Sequence, residues 1–118
     1  MKEKNKITDR VRISIVLEAI QDIESFMHSI SQENFLSNRL VQSACAKKLQ
    51  DLCNASEDIS DEIKIKNPDI PWSQMDGIRN RIAHEYFGIN YKIIWTVIQK
   101  DLPEIKINFE KILPSLED

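Results

Sequence analysis

The chain of 118 residues is long enough for one domain and too short for two, so we expect a single domain over residues 1–118. Apolar residues make up 42% and charged residues 30%, an ordinary balance for a protein that buries one modest core. The net charge of −3 argues against a broad basic surface for nucleic acid but leaves room for a small basic cleft.

The distribution of residue types favours an all-α fold. Both glycines and all four prolines lie outside the first sixty residues, whereas an all-β fold would need many turns throughout. No run of about 18 apolar residues is present, so neither a transmembrane helix nor a membrane partner is predicted. The charged N-terminus lacks a following cleavable apolar segment, so we expect a cytoplasmic protein without a secretory signal.

The first predicted helix runs from Thr8 to Ile30, with Thr8 or Asp9 as its N-cap. His28 lies off its apolar face and is predicted to be a surface residue. The apolar residues recur three and four positions apart, the spacing of one helical face: Ile13, Val16, Ile20, Ile23, Met27 and Ile30.

A second long helix is predicted from Phe35 onward, after a short link at residues 31–34 that makes the two helices antiparallel. Its apolar face comprises Phe35, Leu36, Leu40, Val41, Ala44, Cys45, Leu49, Leu52 and Cys53. The two cysteines would lie about 12 Å apart on this helix, too far for a disulfide, and are predicted to be small buried side chains. With only two histidines beside them, no spacing resembles a metal site, and neither a metal nor a cofactor is predicted.

A short helix is predicted over residues 62–66, followed by an interruption at Pro68 and Pro71, because each proline lacks a backbone N–H. Trp72 is predicted to plug the core from a turn. The central helix then runs from about Ser73 to Phe87 and stops at Gly88. Its predicted buried stripe consists of Met75, Ile78, Ile82 and Tyr86.

The last predicted helix starts after an Asn90 cap and runs from Tyr91 to about Leu113. Pro103 lies inside it and predicts a kink, since one backbone hydrogen bond is lost. The fold prediction is therefore an all-α, up-and-down bundle of four main helices plus a short helix, with the last helix kinked at proline.

The central helix gathers the residues with the most chemical potential. His84 can take or give a proton near neutral pH, and Arg79 can direct two donors at a phosphate. Together they supply the minimum for metal-free RNA cleavage, in which a base activates the ribose 2′-hydroxyl and a fixed cation stabilises the phosphorane. The same residue types also fit a plain polar patch on a bundle helix.

Helical geometry separates these two groups. At roughly 100° per residue, Arg79 and His84 point about 140° apart, whereas Asn80 and His84 share a face. Either the long arginine side chain folds across the helix, or a second subunit in a two-fold dimer completes the site.

The run Arg79-Asn80-Arg81-Ile82-Ala83-His84-Glu85-Tyr86 resembles the Arg-x4-His-x-Tyr motif of the HEPN superfamily, specifically the HepT-like toxins of prokaryotic toxin–antitoxin pairs. The resemblance extends over roughly the C-terminal half of the chain. The flanking residues that carry it are Ile70-Pro71-Trp72, Gly77-Ile78, Phe87-Gly88, Trp95 and Asp101-Leu102-Pro103.

This resemblance implies a HEPN-like helical homodimer and a metal-independent endoribonuclease that acts on cellular RNA. It implies that Arg79 and His84 are catalytic, that Asn80 supports them, and that Arg81 adds an RNA contact. It also implies a cognate antitoxin, a minimal nucleotidyltransferase that inactivates the toxin by AMPylation of Tyr86. The alternative is a non-catalytic HEPN module in which the same patch binds a nucleotide or the partner.

Overall fold

The computed structural model describes residues 8–84 and 88–116, and within these ranges every regular element is helical, which confirms the all-α prediction. None of the described helices combines the length and apolar character needed to cross a membrane. The elements are α1 (Asp9–Phe26), α2 (Gln32–Ser37), α3 (Arg39–Glu57), α4 (Asp61–Lys66), α5 (Trp72–His84), α6 (Tyr91–Thr96) and α7 (Leu102–Ile112), with a π-helical segment (Val97–Asp101) between α6 and α7 and a 3₁₀ turn (Leu113–Ser115) at the end.

Short polar side chains begin five of the helices by accepting a hydrogen bond from a backbone N–H inside the first turn. The predicted caps at Thr8 and Asn90 are confirmed, and the short helix α4 begins at a Ser60 cap. The five cap distances are 3.2 Å at Thr8, 3.1 Å at Ser31, 3.0 Å at Asn38, 3.4 Å at Ser60 and 3.0 Å at Asn90.

The second predicted helix is wrong in one respect, because it is divided into α2 and α3 at Asn38. Asn38 has extended backbone angles, and its side chain accepts from the N–H of Val41, so it caps a new helix instead of continuing the old one. The Gln42 side chain donates to two backbone carbonyls near the end of α2, and these hydrogen bonds link α3 to α2 across the break. As a result, Leu40 lies outside the core and is 80% exposed.

The helices α1 and α3 are antiparallel, as predicted, and form the most extensive contact between helices. Asp9 at the start of α1 accepts hydrogen bonds from Ser60, just beyond the end of α3, while Asp22 near the end of α1 pairs with Lys48 at 3.0 Å. Both cysteines are buried free thiols within α3, and His28 is exposed, as predicted.

Trp72 begins α5 and therefore does not plug the core from a turn. It is half-buried, its indole N–H donates to the carbonyl of Asn67 at 3.0 Å, and its ring lies 5.6 Å from that of Phe109. The carbonyl of Pro71 accepts the first helical hydrogen bond, from Met75, so the proline precedes the helix and its missing N–H costs nothing.

The irregularity expected at Pro103 takes the form of the π-helical segment directly before it. The N–H of Leu102 donates to the carbonyl of Val97, five residues earlier, instead of four. Pro103 has no N–H to donate to the carbonyl of Gln99, so the regular α-helical hydrogen-bond pattern cannot continue here. The wider π-helical turn accommodates the proline at this point.

Candidate functional site

The motif residues lie on α5 and just beyond it. The side chains of Arg79 and Asn80 are described, whereas Arg81 and His84 are placed by their helical backbone alone, and Tyr86 lies outside the described residues. The inward stripe of α5 is confirmed at Met75, Ile78 and Ile82, which are all buried, and these residues seat the helix against the core.

Arg79 lies on the side of α5 that meets α3. Its guanidinium Nη2 donates to the Oε2 of Glu57, the last residue of α3, at 3.2 Å. The side chain is 28% exposed, and its Nε–H is buried without a hydrogen-bond partner. Arg79 therefore lies in the crease between two helices, with its charged end at the surface.

Cys53 lies one turn before Glu57 on α3 and senses the same charges. Burial raises the pKa of its thiol to about 12, with the positive charge of Arg79 acting in the lowering direction and the negative charge of Asp76 in the raising direction. A thiol with so high a pKa is protonated at neutral pH and is a poor nucleophile. Cys53 is therefore not included among the candidate catalytic residues.

Asn80 follows Arg79 and is exposed to solvent. Its amide can both donate to and accept from a ligand that lies along this face of α5. That Asn80 and His84 point the same way stays a prediction from helical spacing, because the His84 side chain is not described.

The opposite side of α5 borders an open groove of about 600 Å³ that also contacts α6 and the π-helical segment. A Cβ added at Gly77 would meet nothing within 4 Å, so the missing side chain leaves this part of α5 uncovered. The side chain of Gln74 donates to Asp101 at 2.9 Å and links α5 to the π-helical segment. The residues that line the groove are Gln74, Gly77, Ile78, Lys92, Ile93, Thr96, Val97 and Asp101.

Arg79 and Lys92 are close in sequence, but their side chains lie on different sides of α5. Arg79 lies against α3, whereas Lys92 lines the groove on another side of α5. Sequence reasoning missed Glu57, because nothing local to it marks a contact with a residue 22 positions later. Within the described ranges, no group of histidine, cysteine and carboxylate side chains could hold a metal ion.

Comparison with known proteins identifies the family. Residues 16–112 match the family described as "Ribonuclease HepT-like". A protein from Thermococcus cleftensis named "Probable ribonuclease HepT" is 35% identical over 97 residues, covering 82% of this chain and 88% of its own. A protein from Methanocaldococcus jannaschii, assigned by name as an RNase, is 34% identical over 95 residues, covering 80% and 87%.

A third relative, from Caldanaerobacter subterraneus and likewise assigned by name as an RNase, is 30% identical over 106 residues, covering 90% of this chain and 95% of its own. No solved structure gives a significant match. The family match spans most of the chain and confirms the resemblance drawn from the motif on α5. The chain belongs to the HepT-like ribonuclease family.

Proposed function

We propose that this protein is the toxin of a toxin–antitoxin pair and acts as a metal-independent endoribonuclease on cellular RNA. The observation that carries the proposal is Arg79, a permanent cation held at the surface of α5 by Glu57, in a chain of the HepT-like ribonuclease family. Arg79 and His84 are the proposed catalytic residues, with Asn80 and Arg81 as supporting RNA contacts.

The proposed reaction needs no metal because its nucleophile belongs to the substrate. A neutral histidine removes the proton of the ribose 2′-hydroxyl, and the oxygen forms a bond to phosphorus. The bond from phosphorus to the 5′-oxygen then breaks as an acid returns a proton to that oxygen, leaving a cyclic phosphate and a 5′-hydroxyl. The guanidinium of Arg79 stabilises the negative charge on the phosphorane oxygens.

A homodimer is part of the proposal. The Arg79 guanidinium is drawn towards α3, and helical spacing puts His84 about 140° away around α5. A two-fold pair of α5 helices would bring the histidine of one copy to the arginine of the other and supply both a base and an acid.

Tyr86 is the proposed site of control by a nucleotidyltransferase antitoxin. Transfer of AMP to its hydroxyl would add a bulky, negatively charged phosphate close to the proposed RNA site. Like charge would repel the RNA backbone, so the enzyme would be switched off without being unfolded.

The decisive experiment is an RNA cleavage assay on the purified protein in EDTA. Wild-type protein is expected to cleave RNA, and Arg79→Ala and His84→Ala are expected to lose about 100-fold or more in rate. His28→Ala and Arg39→Ala are matched controls, since both residues are exposed and lie outside α5. If the wild type leaves every tested RNA intact, the alternative of a non-catalytic nucleotide- or partner-binding module is favoured.

The regulatory part has its own test. Co-expression with the proposed nucleotidyltransferase antitoxin should rescue growth and yield AMP on Tyr86 by mass spectrometry. Tyr86→Phe should remain toxic in the presence of the transferase. Full neutralisation with an unmodified Tyr86 would contradict the proposed mechanism of control.

A further inference from the structure

Glu57 is the hydrogen-bonding partner of the Arg79 guanidinium among the described residues, yet no part of the recognised motif contains it. The two side chains come from different helices and are 46% and 28% exposed. An ion pair this exposed contributes little to folding stability. A role in holding the arginine in place accounts for the contact better than a role in stability.

The backbone of Glu57 takes part in a contact between three helices. Its backbone carbonyl accepts a hydrogen bond from the Lys64 ammonium at 2.9 Å, which ties the end of α3 to α4. The same ammonium lies 5.7 Å above the ring of Trp72, the first residue of α5. The end of α3, the helix α4 and the start of α5 are therefore joined around one lysine, close to the backbone from which the Glu57 side chain reaches Arg79.

The contact with Glu57 also determines which N–H donors of Arg79 remain available to a ligand. A guanidinium carries five N–H donors in a planar fork. The Nε–H is buried, where a phosphate cannot reach it, and the Nη2 donates to Glu57. The remaining N–H donors on the two terminal nitrogens are therefore the ones available to a phosphate.

We propose that Glu57 is a positioning residue that orients the Arg79 guanidinium towards the RNA phosphate. This inference rests on the proposed ribonuclease activity of Arg79 and His84. Glu57 does not touch the substrate itself, since its negative charge would repel a phosphate. By holding the long, flexible arginine side chain in one conformation, Glu57 lowers the entropy that Arg79 loses when it binds the phosphate.

The test compares Glu57→Ala, Glu57→Gln and Glu57→Asp in single-turnover cleavage of a defined RNA in EDTA. Glu57→Ala should lower the single-turnover rate constant of cleavage by about 10- to 100-fold while changing the half-saturating concentration by no more than about threefold. Glu57→Gln should retain part of the rate, because its amide oxygen still accepts from Nη2. Glu62→Ala is the control, an exposed glutamate on α4 that pairs with Lys66.

A second readout does not depend on activity. The Nε–H resonance of Arg79, assigned by its absence in Arg79→Ala, should shift or broaden in Glu57→Ala and stay unchanged in Glu62→Ala. Thermal unfolding should be the same in all four variants within a few degrees, about what an exposed pair allows.

The outcomes separate this inference from the proposed function. If the wild type cleaves RNA and Arg79→Ala does not, but Glu57→Ala cleaves as fast as the wild type or faster, Glu57 has no positioning role. An unchanged Arg79 resonance in Glu57→Ala overturns the inference in the same way. If the wild type itself fails to cleave, the ribonuclease proposal fails first, and the resonance still decides whether Glu57 orients Arg79.

Discussion

The helix α3 contacts a neighbour on each of two sides, and the two contacts differ in kind. Towards α1 it packs with a helix whose inward residues, such as Ile13, Val16 and Ile20, are completely buried, and the ion pair between Asp22 and Lys48 lies at the edge. Towards α5 the boundary includes a charged pair, Arg79 with Glu57.

This difference separates the residues that hold the fold from the residues that are proposed to do the chemistry. Burial of apolar side chains provides most of the folding free energy, and the fully buried apolar residues of α1 supply it at the contact with α3. The contact between α3 and α5 places a permanent cation within reach of solvent. Substitutions on the two sides of α3 should therefore have separable effects, and the following predictions test that separation.

The largest effect on folding is expected at the inward face of α1. Ile20→Ala removes a fully buried side chain and should lower the free energy of unfolding by about 2–5 kcal/mol, measured by denaturant titration. Leu40→Ala is the control and should change it by less than about 0.5 kcal/mol, because Leu40 is exposed. Equal losses in the two variants would contradict the described core.

The reverse pattern is expected at Arg79. Arg79→Ala should reduce RNA cleavage by about 100- to 1000-fold, since the cation proposed to stabilise the phosphorane is lost. Its free energy of unfolding should change by no more than about 1 kcal/mol, because the pair with Glu57 is partly exposed. If Arg79→Ala instead lost activity because its free energy of unfolding was strongly reduced, the proposed difference between the two sides of α3 would be contradicted.

A smaller effect is expected where α1 meets the start of α4. Asp9→Ala deletes the acceptor for the Ser60 N–H at 2.9 Å and for its hydroxyl at 2.7 Å, and should cost about 1–3 kcal/mol of unfolding free energy. Asp69→Ala removes an exposed carboxylate and serves as the control. RNA cleavage well below the melting temperature should be unaffected by either change.

The last effect is absent at neutral pH and develops only in alkali. Burial raises the pKa of Cys45 from 9.0 to about 11 and that of Cys53 from 9.0 to about 12. Above pH 9 the unfolded chain loses these protons while the folded chain keeps them, so the unfolding free energy should fall as the pH rises from 9 towards 12.

A Cys45→Ala/Cys53→Ala double variant isolates that contribution. Its unfolding free energy should fall less steeply over the same pH range than that of the wild type, whatever its value at pH 7. Parallel slopes in the two proteins would show that other groups, such as lysines, account for the alkaline loss.

The sequence was sufficient for the features that depend on local rules. Apolar spacing predicted the inward faces of α1 and α5, and short polar side chains marked the caps at Thr8 and Asn90. It failed at Asn38, because apolar residues continue at helical spacing across the break and hide the change from helix interior to cap. Asparagine is compatible with either role, and only the tertiary packing decides between them.

The candidate site divides in the same way. Arg79 could be singled out from the sequence because the other residues of the motif follow it directly in the chain. Glu57 could not be predicted from the sequence, because its contact with Arg79 joins two separate helices and no rule of residue spacing connects them. The roles of Arg79, His84 and Tyr86 stay predictions, to be decided by the cleavage and modification assays.

The empty space beside Gly77 has a practical use. Gly77→Cys would place a new thiol in open space on the groove side of α5, where the backbone admits a Cβ without contact. The two native thiols are buried and resist ionisation, so a maleimide dye should react at the introduced site alone. One fluorescent reporter could then follow the approach of RNA, a second copy or an antitoxin to this helix in real time.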